Sequence, residues 1–245
     1  MTSILEALRD NPYPGRLILL ARTLDGDLTA GYALTGRSEA SRARRIEATP
    51  AGELAVVPVV PVVPVVSAVS AVSGGVAGHD ALRHYVAATA DRRWTVYGNG
   101  EQVAEVAGRL AKGLAPPSAL EDLDYEPDPP ICTPRITAVV DRTGRRSWLG
   151  AARRPEGGRQ STDVTVVALG ELAPGQAVLL STYHSDGDSV STARHHLDLN
   201  TSAQDADALL TDLWAALDPR FRVAATAFAP VTGVRGPIRH ARPQS

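Results

Sequence analysis

Tight turns between short apolar runs recur along this chain and restrict what it can fold into. Asp25-Gly26 joins Arg16–Thr23 to Leu28–Thr35, Asp91-Arg92-Arg93 joins His84–Thr89 to Trp94–Tyr97, and Thr143-Gly144 joins Arg135–Asp141 to Ser147–Ala152. An Asp-Gly pair supplies the backbone angles of a two-residue hairpin, so neighbours in sequence become antiparallel neighbours in a sheet. Two more strand-like runs, Asp163–Leu169 and Gln176–Tyr183, stand either side of Pro174-Gly175, and Arg222–Phe228 is the last. Helical spacing of apolar residues marks Thr2–Arg9, Glu101–Leu114 and Ala203–Leu217, with Pro116-Pro117 stopping the second and Ser202 capping the third. The result is an α+β chain of largely antiparallel sheets. Either two sheets lie face to face with helices outside, or one sheet carries helices on one side.

Composition removes several function classes. A formal net charge of -2 is unlike a general nucleic-acid binder, which carries a basic surplus. The lone cysteine, Cys132, cannot form an internal disulfide and reads as a buried structural thiol in a reducing compartment. The first residues carry Glu6 and Asp10 and no long apolar run, unlike a signal peptide. The longest apolar tract, Leu54 to Val72, holds Pro58, Pro61 and Pro64, which would break a membrane-spanning helix. A cytoplasmic protein with no membrane partner is expected. One domain over residues 1–245 is expected, with a low-complexity Val/Pro/Ser/Ala insert at about 54–75 and a flexible tail at about 235–245. The Val-Val-Pro repeat matches the three-residue turn of polyproline II and reads as an inserted arm or extended edge segment.

Polar clusters stand where strands end. The run Gly36-Arg37-Ser38-Glu39-Ala40-Ser41-Arg42-Ala43-Arg44-Arg45 holds four guanidinium groups and two hydroxyls. Arg suits a phosphate because its planar fork makes bidentate hydrogen bonds to the oxygens. The others are Tyr13-Pro14-Gly15-Arg16, Tyr97-Gly98-Asn99-Gly100-Glu101, Tyr125-Glu126-Pro127-Asp128 running on to Thr133-Pro134-Arg135, and Tyr183-His184-Ser185-Asp186-Gly187-Asp188. Such residues at the mouths of several strands are what an enzyme site on a rigid sheet requires. No dinucleotide fingerprint, Walker pattern, nucleophile elbow or metal-ligand spacing is present, and neither a cofactor nor a metal is expected. Tyr85, Trp94 and Trp148 read as packing residues.

Taken in order, Tyr-Pro-Gly-Arg, Gly-Arg-Ser-x-x-Ser-Arg-x-Arg, Tyr-Gly-Asn-Gly, Tyr-Glu-Pro-Asp-x-Pro with Thr-Pro-Arg-Ile, and Tyr-His-Ser-Asp-Gly-Asp resemble the archaeal-type IMP cyclohydrolase family and its bacterial relatives. The resemblance runs from Tyr13 to Asp188 and implies a four-layer αββα fold like that of N-terminal nucleophile hydrolases, used without the N-terminal nucleophile. It also implies a purine ribotide as the small-molecule partner and closure of 5-formamidoimidazole-4-carboxamide ribotide to IMP with loss of water. On this footing Arg37, Arg42 and Arg44, with Ser38 and Ser41, are expected to hold the ribotide phosphate. Tyr97 and Glu126 are the candidates for proton transfer, and Arg16 or Arg135 for oxyanion stabilisation or orientation. Asn99 is a candidate contact to the base; Tyr125, His184 and Asp186 are further substrate-binding candidates. The chain departs from the family's pattern at Ala40, Ala43, Val103 and Ala104, where amide, hydroxyl or carboxylate side chains are usual. A paralogue binding a related ribotide therefore remains a second reading, and a homo-oligomer is left open.

Overall fold

The structure, a computed structural model, describes residues 2–59, 84–155, 159, 161–193 and 196–241. Most of the Val-Val-Pro repeat, and the last part of the expected tail, lie outside the described residues. From the N-terminus, strand β1 (Thr2–Ser3) leads into helix α1 (Ile4–Arg9), followed by the hairpin of β2 (Arg16–Arg22) and β3 (Leu28–Thr35). One helical turn, α2 (Glu39–Arg42), enters β4 (Arg44–Ala48), β5 (Leu54–Pro58), β6 (Tyr85–Ala90) and β7 (Trp94–Gly98). Helices α3 (Gln102–Ala111) and α4 (Pro116–Glu121) precede the hairpin of β8 (Arg135–Asp141) and β9 (Ser147–Arg153), then β10 (Asp163–Leu169) and β11 (Gln176–Ser181). Strand β12 (Leu197–Asn200), helix α5 (Ala206–Ala216), β13 (Arg222–Phe228) and β14 (Ile238–His240) complete the order.

The strands form two seven-stranded sheets, ordered β1-β12-β11-β2-β3-β13-β14 and β10-β9-β8-β7-β6-β5-β4. β1 pairs with β12 in parallel; the other pairings are antiparallel. Strand alternation sorts each run into two faces. In β2, Ile18 and Leu20 meet the second sheet's Val56, Tyr97 and Val140, while Leu17 and Leu19 pack beneath α1 and α5 against Leu8, Leu209 and Leu213. On the second sheet, Val96, Val139 and Trp148 face α3 and α4 through Val103, Val106 and Leu120. The sheets thus share one core and each carries helices on its outer face, which decides between the two arrangements left open by the sequence. Gly31 and Gly150 serve this contact: a Cβ would stand 3.3 Å from Leu213 of α5 in one case and 2.9 Å from Leu120 of α4 in the other.

Several local expectations shift. Asp205, not Ser202, caps α5, accepting from the Ala208 amide at 2.8 Å. Helix α3 ends at Ala111, before Gly113 at φ +90°, and Pro116-Pro117 open α4, whose first turn needs no amide donors. β10 and β11 belong to different sheets, so Pro174-Gly175 lies on a crossover and not in a hairpin. The expected insert begins with β5, an interior strand between β4 and β6. Residues 238–240 of the expected tail form an edge strand, where His240 Nε2 lies 3.2 Å from the Ile46 amide and 3.0 Å from its carbonyl, tying β14 to β4. No helix among the described residues is long and apolar enough to cross a membrane.

Candidate functional site

The start of β2, the ends of β3 and β11, and the starts of β4 and β8 all come to one edge of the shared core. There a cleft of about 280 Å³ opens, lined by Tyr13, Arg16, Ser38, Ser41, Arg44, Glu126 and their neighbours. A volume of this order approaches the small end of the range, about 300–1,000 Å³, typical of small-molecule sites.

The basic run reaches the cleft through one helical turn. Ser38 caps α2 by accepting from the Ser41 amide at 3.2 Å, and the Ser41 hydroxyl donates back to the Ser38 carbonyl at 2.8 Å. Gly36 permits this fold-back, since a Cβ there would stand 2.7 Å from Ser41 backbone atoms. The chain then enters β4, and the pleat sends alternate side chains to opposite faces: Arg44 and Ile46 inward, Arg45 outward to Glu47 at 3.0 Å. Arg44 is 7% exposed and donates from Nε to the Ser41 carbonyl at 2.8 Å and from Nη2 to the Thr35 carbonyl at 3.1 Å. Among the described residues it has no carboxylate within 4 Å. Burial lowers its pKa, and Arg16 nearby lowers it further. A buried cation facing a cavity without a counter-charge is poised for an anion.

Arg16 does have its partner. Its Nη2 donates to Glu126 Oε1 at 2.6 Å, both side chains being buried. The same oxygen accepts from Asn99 Nδ2 at 3.3 Å. Asn99 in turn accepts at Oδ1 from the Ile136 amide (2.7 Å) and Gln102 Nε2 (3.0 Å), and donates to the Pro134 carbonyl (2.9 Å). Gln102 and Asn99 therefore hold Oε1 from behind, while Oε2 makes no hydrogen bond to any described residue. Burial raises the Glu126 carboxyl above its ordinary 4.5, against the opposing pull of Arg16 and Arg135. A carboxyl so raised takes up and releases protons nearer neutrality, as general acid–base work requires.

Arg16, Ser38, Ser41, Arg44 and Glu126 line the cleft, and Asn99 stands directly behind Glu126. Arg135 acts on Glu126 by its charge, with its own Nε buried and unpaired. The other expected site residues lie elsewhere. Tyr97, in the strand-alternation register that faces the opposite sheet, is wholly buried against Phe228 and donates to the Leu19 carbonyl at 2.9 Å, tying the sheets together. Arg37 is exposed, lies over the Tyr13 ring at 4.6 Å and donates to the Asp188 carbonyl at 2.9 Å. Arg42 reaches away to the Arg220 carbonyl. Tyr125 is half-buried and His184 exposed, and neither lines the cleft. Asp186 is exposed and accepts from the Asp188 and Ser189 amides, closing its own turn.

Tyr13, Asp128, Thr133 and Tyr183 are among the cleft residues that the sequence does not single out. Tyr13 and Tyr183 stack at 5.8 Å, and the Tyr183 hydroxyl shares a 2.5 Å hydrogen bond with Thr133. Asp128 accepts from the Thr133 amide and hydroxyl, each at 2.6 Å, which closes the loop that carries Glu126. Tyr13, Asp128, Thr133 and Tyr183 all sit within the polar clusters, beside residues that were chosen instead. Under the cleft, Tyr32 and Tyr85 share a 2.7 Å hydroxyl pair that feels the charges of Arg16 and Arg44. Tyr85 is thus a core residue as expected, and Trp94 packs edge-on to Trp148 beneath α3. Cys132 is buried, with Arg154 Nη1 at 3.7 Å from its sulfur. No group of three His, Cys, Asp or Glu side chains converges as a metal would need among the described residues.

The family model described as IMP cyclohydrolase-like protein matches residues 13–232, a span that takes in every cleft residue. No curated protein matches the sequence.

Proposed function

Because the chain belongs to the IMP cyclohydrolase-like protein family, we propose that its cleft binds 5-formamidoimidazole-4-carboxamide ribotide and closes it to IMP. The observation that carries this reading is Arg44, a buried guanidinium without a carboxylate partner, facing the same cavity as the Arg16–Glu126 pair. The phosphate supplies the missing counter-charge, with the Ser38 and Ser41 hydroxyls beside it. The stacked Tyr13 and Tyr183 side chains line the same cavity and bound the space for the heterocycle. The layers of helix and sheet are consistent with the N-terminal-nucleophile-hydrolase-like architecture that the family resemblance implies.

The two reacting groups sit on adjacent ring carbons, so the step is intramolecular and orientation supplies much of the acceleration. Glu126 Oε2 takes a proton from the carboxamide nitrogen as that nitrogen bonds to the formyl carbon. The formyl C=O pair moves onto oxygen, where the buried guanidinium of Arg16 stabilises it and a proton from the carboxyl neutralises it. The resulting hydroxyl leaves as water, the formamide nitrogen gives up its proton, and the ring C=N bond forms. Purified protein incubated with the formylated ribotide should yield inosinate, read by absorbance; substrate that binds yet remains unchanged would refute the turnover.

One position favours the second reading. Ala40 lines the cleft with a methyl where the family often has an amide, whereas Val103 packs into the outer core and Ala104 is exposed. A related ribotide bound without turnover is what that missing amide would favour, and the same assay separates the two.

Gln102 offers a further check. In Gln102→Leu, stability should fall by about 1–2 kcal/mol, because Nε2 no longer donates to Asn99 Oδ1 and the Ile136 carbonyl, a loss partly offset by removing the unpaired Oε1. Asn99 loses one of the groups fixing it behind Glu126, so kcat should fall about tenfold with KM little changed. Steady-state kinetics with urea unfolding distinguish this from a general loss of structure.

A further inference from the structure

Among the described residues, Arg153 is a second buried guanidinium without a carboxylate partner. It ends β9 on the face carrying Leu149 and Ala151, and is 7% exposed. One arm, Nη1, donates to the Thr192 carbonyl; Nη2 is buried with no partner. Among the described residues no carboxylate lies within 4 Å of it. Burial holds its pKa down to about 10. Against it lies a cavity of about 20 Å³, walled by Leu149, Ala151, Val167 and Leu180, with Thr165 and His196 as the other polar lining.

We propose that this cavity is a binding site for one small monovalent anion of halide size, held by Arg153 Nη2. Three considerations select that ligand. A single water needs about 10–15 Å³ of such space, so the inner part of the cavity, which opens to solvent past the exposed Thr165, holds one particle of that order and leaves the bulk of a phosphate in the mouth. A water would satisfy the N–H but leave the guanidinium charge unbalanced beside four aliphatic side chains, a state that a small anion relieves. Arg16, equally buried, shows how the fold treats such a charge when it has a carboxylate available. The site differs from the cleft in size and lining, sharing no residue with it. Its consequence is structural. Arg153 holds Thr192, whose neighbour Ser191 bridges to His184, and His184 follows the cleft residue Tyr183. An anion on Arg153 therefore steadies one wall of the cleft.

The test is thermal unfolding of the full chain in sodium chloride or bromide against sodium gluconate at constant ionic strength. The midpoint should rise with halide and, beyond saturation of half the sites, by an equal increment for each tenfold in concentration. Arg153→Met, made together with Arg44→Met so that the cleft's own unpaired guanidinium gives no response, should be flat against halide. Chloride-35 NMR gives a reading independent of the Arg153 variant's folding: Arg44→Met protein, in which the cleft cation is gone, should broaden the chloride line, and added bromide should restore it. In Arg44→Met protein a midpoint indifferent to halide, or in the double variant a midpoint that still rises with it, would overturn the proposal. So would an unbroadened chloride line.

Discussion

Arg44→Met is expected to weaken binding of a purine ribotide about 30-fold or more while leaving the unliganded protein at least as stable as the parent. The two effects have opposite signs for one reason. Without ligand, Arg44 is a buried cation satisfied only by the Ser41 and Thr35 carbonyls, with Arg16 repelling it. Replacing such a charge by an apolar side chain of similar length is neutral or stabilising. With the phosphate in place, the same charge is compensated, and removing one member of a buried, hydrogen-bonded charge pair costs about 2–5 kcal/mol of binding. Calorimetric titration with the ribotide and urea unfolding without it measure the two halves. A variant that binds the ribotide unchanged would remove the phosphate from Arg44; one that loses several kcal/mol without ligand would show the cation to be compensated already.

Arg16→Met should produce the larger loss of stability, about 3–5 kcal/mol near neutral pH, because it strips the buried Glu126 carboxyl of its ion-pair partner. The loss depends on pH with a defined sign. Burial already raises the Glu126 carboxyl above 4.5, and removing Arg16 takes away the pull that opposes this. Between the unfolded value and the raised folded value, the folded state binds more protons, so stability falls as pH rises through that window. The deficit of Arg16→Met should therefore be full above the folded pKa, shrink as pH drops, and be lost below 4.5, where the carboxyl becomes neutral in the unfolded state as well. Arg16→Met combined with Glu126→Leu should recover most of the stability at neutral pH, since neither charge is then stranded. Unfolding curves at several pH values check both claims; a deficit independent of pH, or a double variant no better than the single, would contradict the ion-pair account. Neither variant should turn over the ribotide.

The hairpins were legible because they are local. Asp25-Gly26 and Thr143-Gly144 fix their turns through backbone angles that nearby residues set, and Leu28–Thr35, Arg135–Asp141, Asp163–Leu169 and Arg222–Phe228 carry strand patterns that need no distant partner. The crossover between β10 and β11 was not legible, because an apolar run reads the same whichever sheet receives it. Composition likewise marked the polar clusters but not the side chains within them that face the cleft. Arg44 and Arg45 are neighbours of one type, and only the pleat of β4 sends the first inward and the second to solvent. Tyr97 shows the same limit. Its cluster, Tyr-Gly-Asn-Gly, does border the site through Asn99, yet its ring faces the opposite sheet.

By itself, then, the sequence determined the antiparallel hairpins, the helical segments and the neighbourhoods where polar chemistry gathers, since these follow from local backbone preferences and from periodicity. Only the tertiary structure decided that Arg16 meets Glu126 across 110 residues and that Arg44 stands buried without a carboxylate. It also decided that Tyr183, and not its neighbour His184, lines the cavity. Those choices rest on which strand ends meet and on which face each side chain occupies, and no single segment of the chain contains that information.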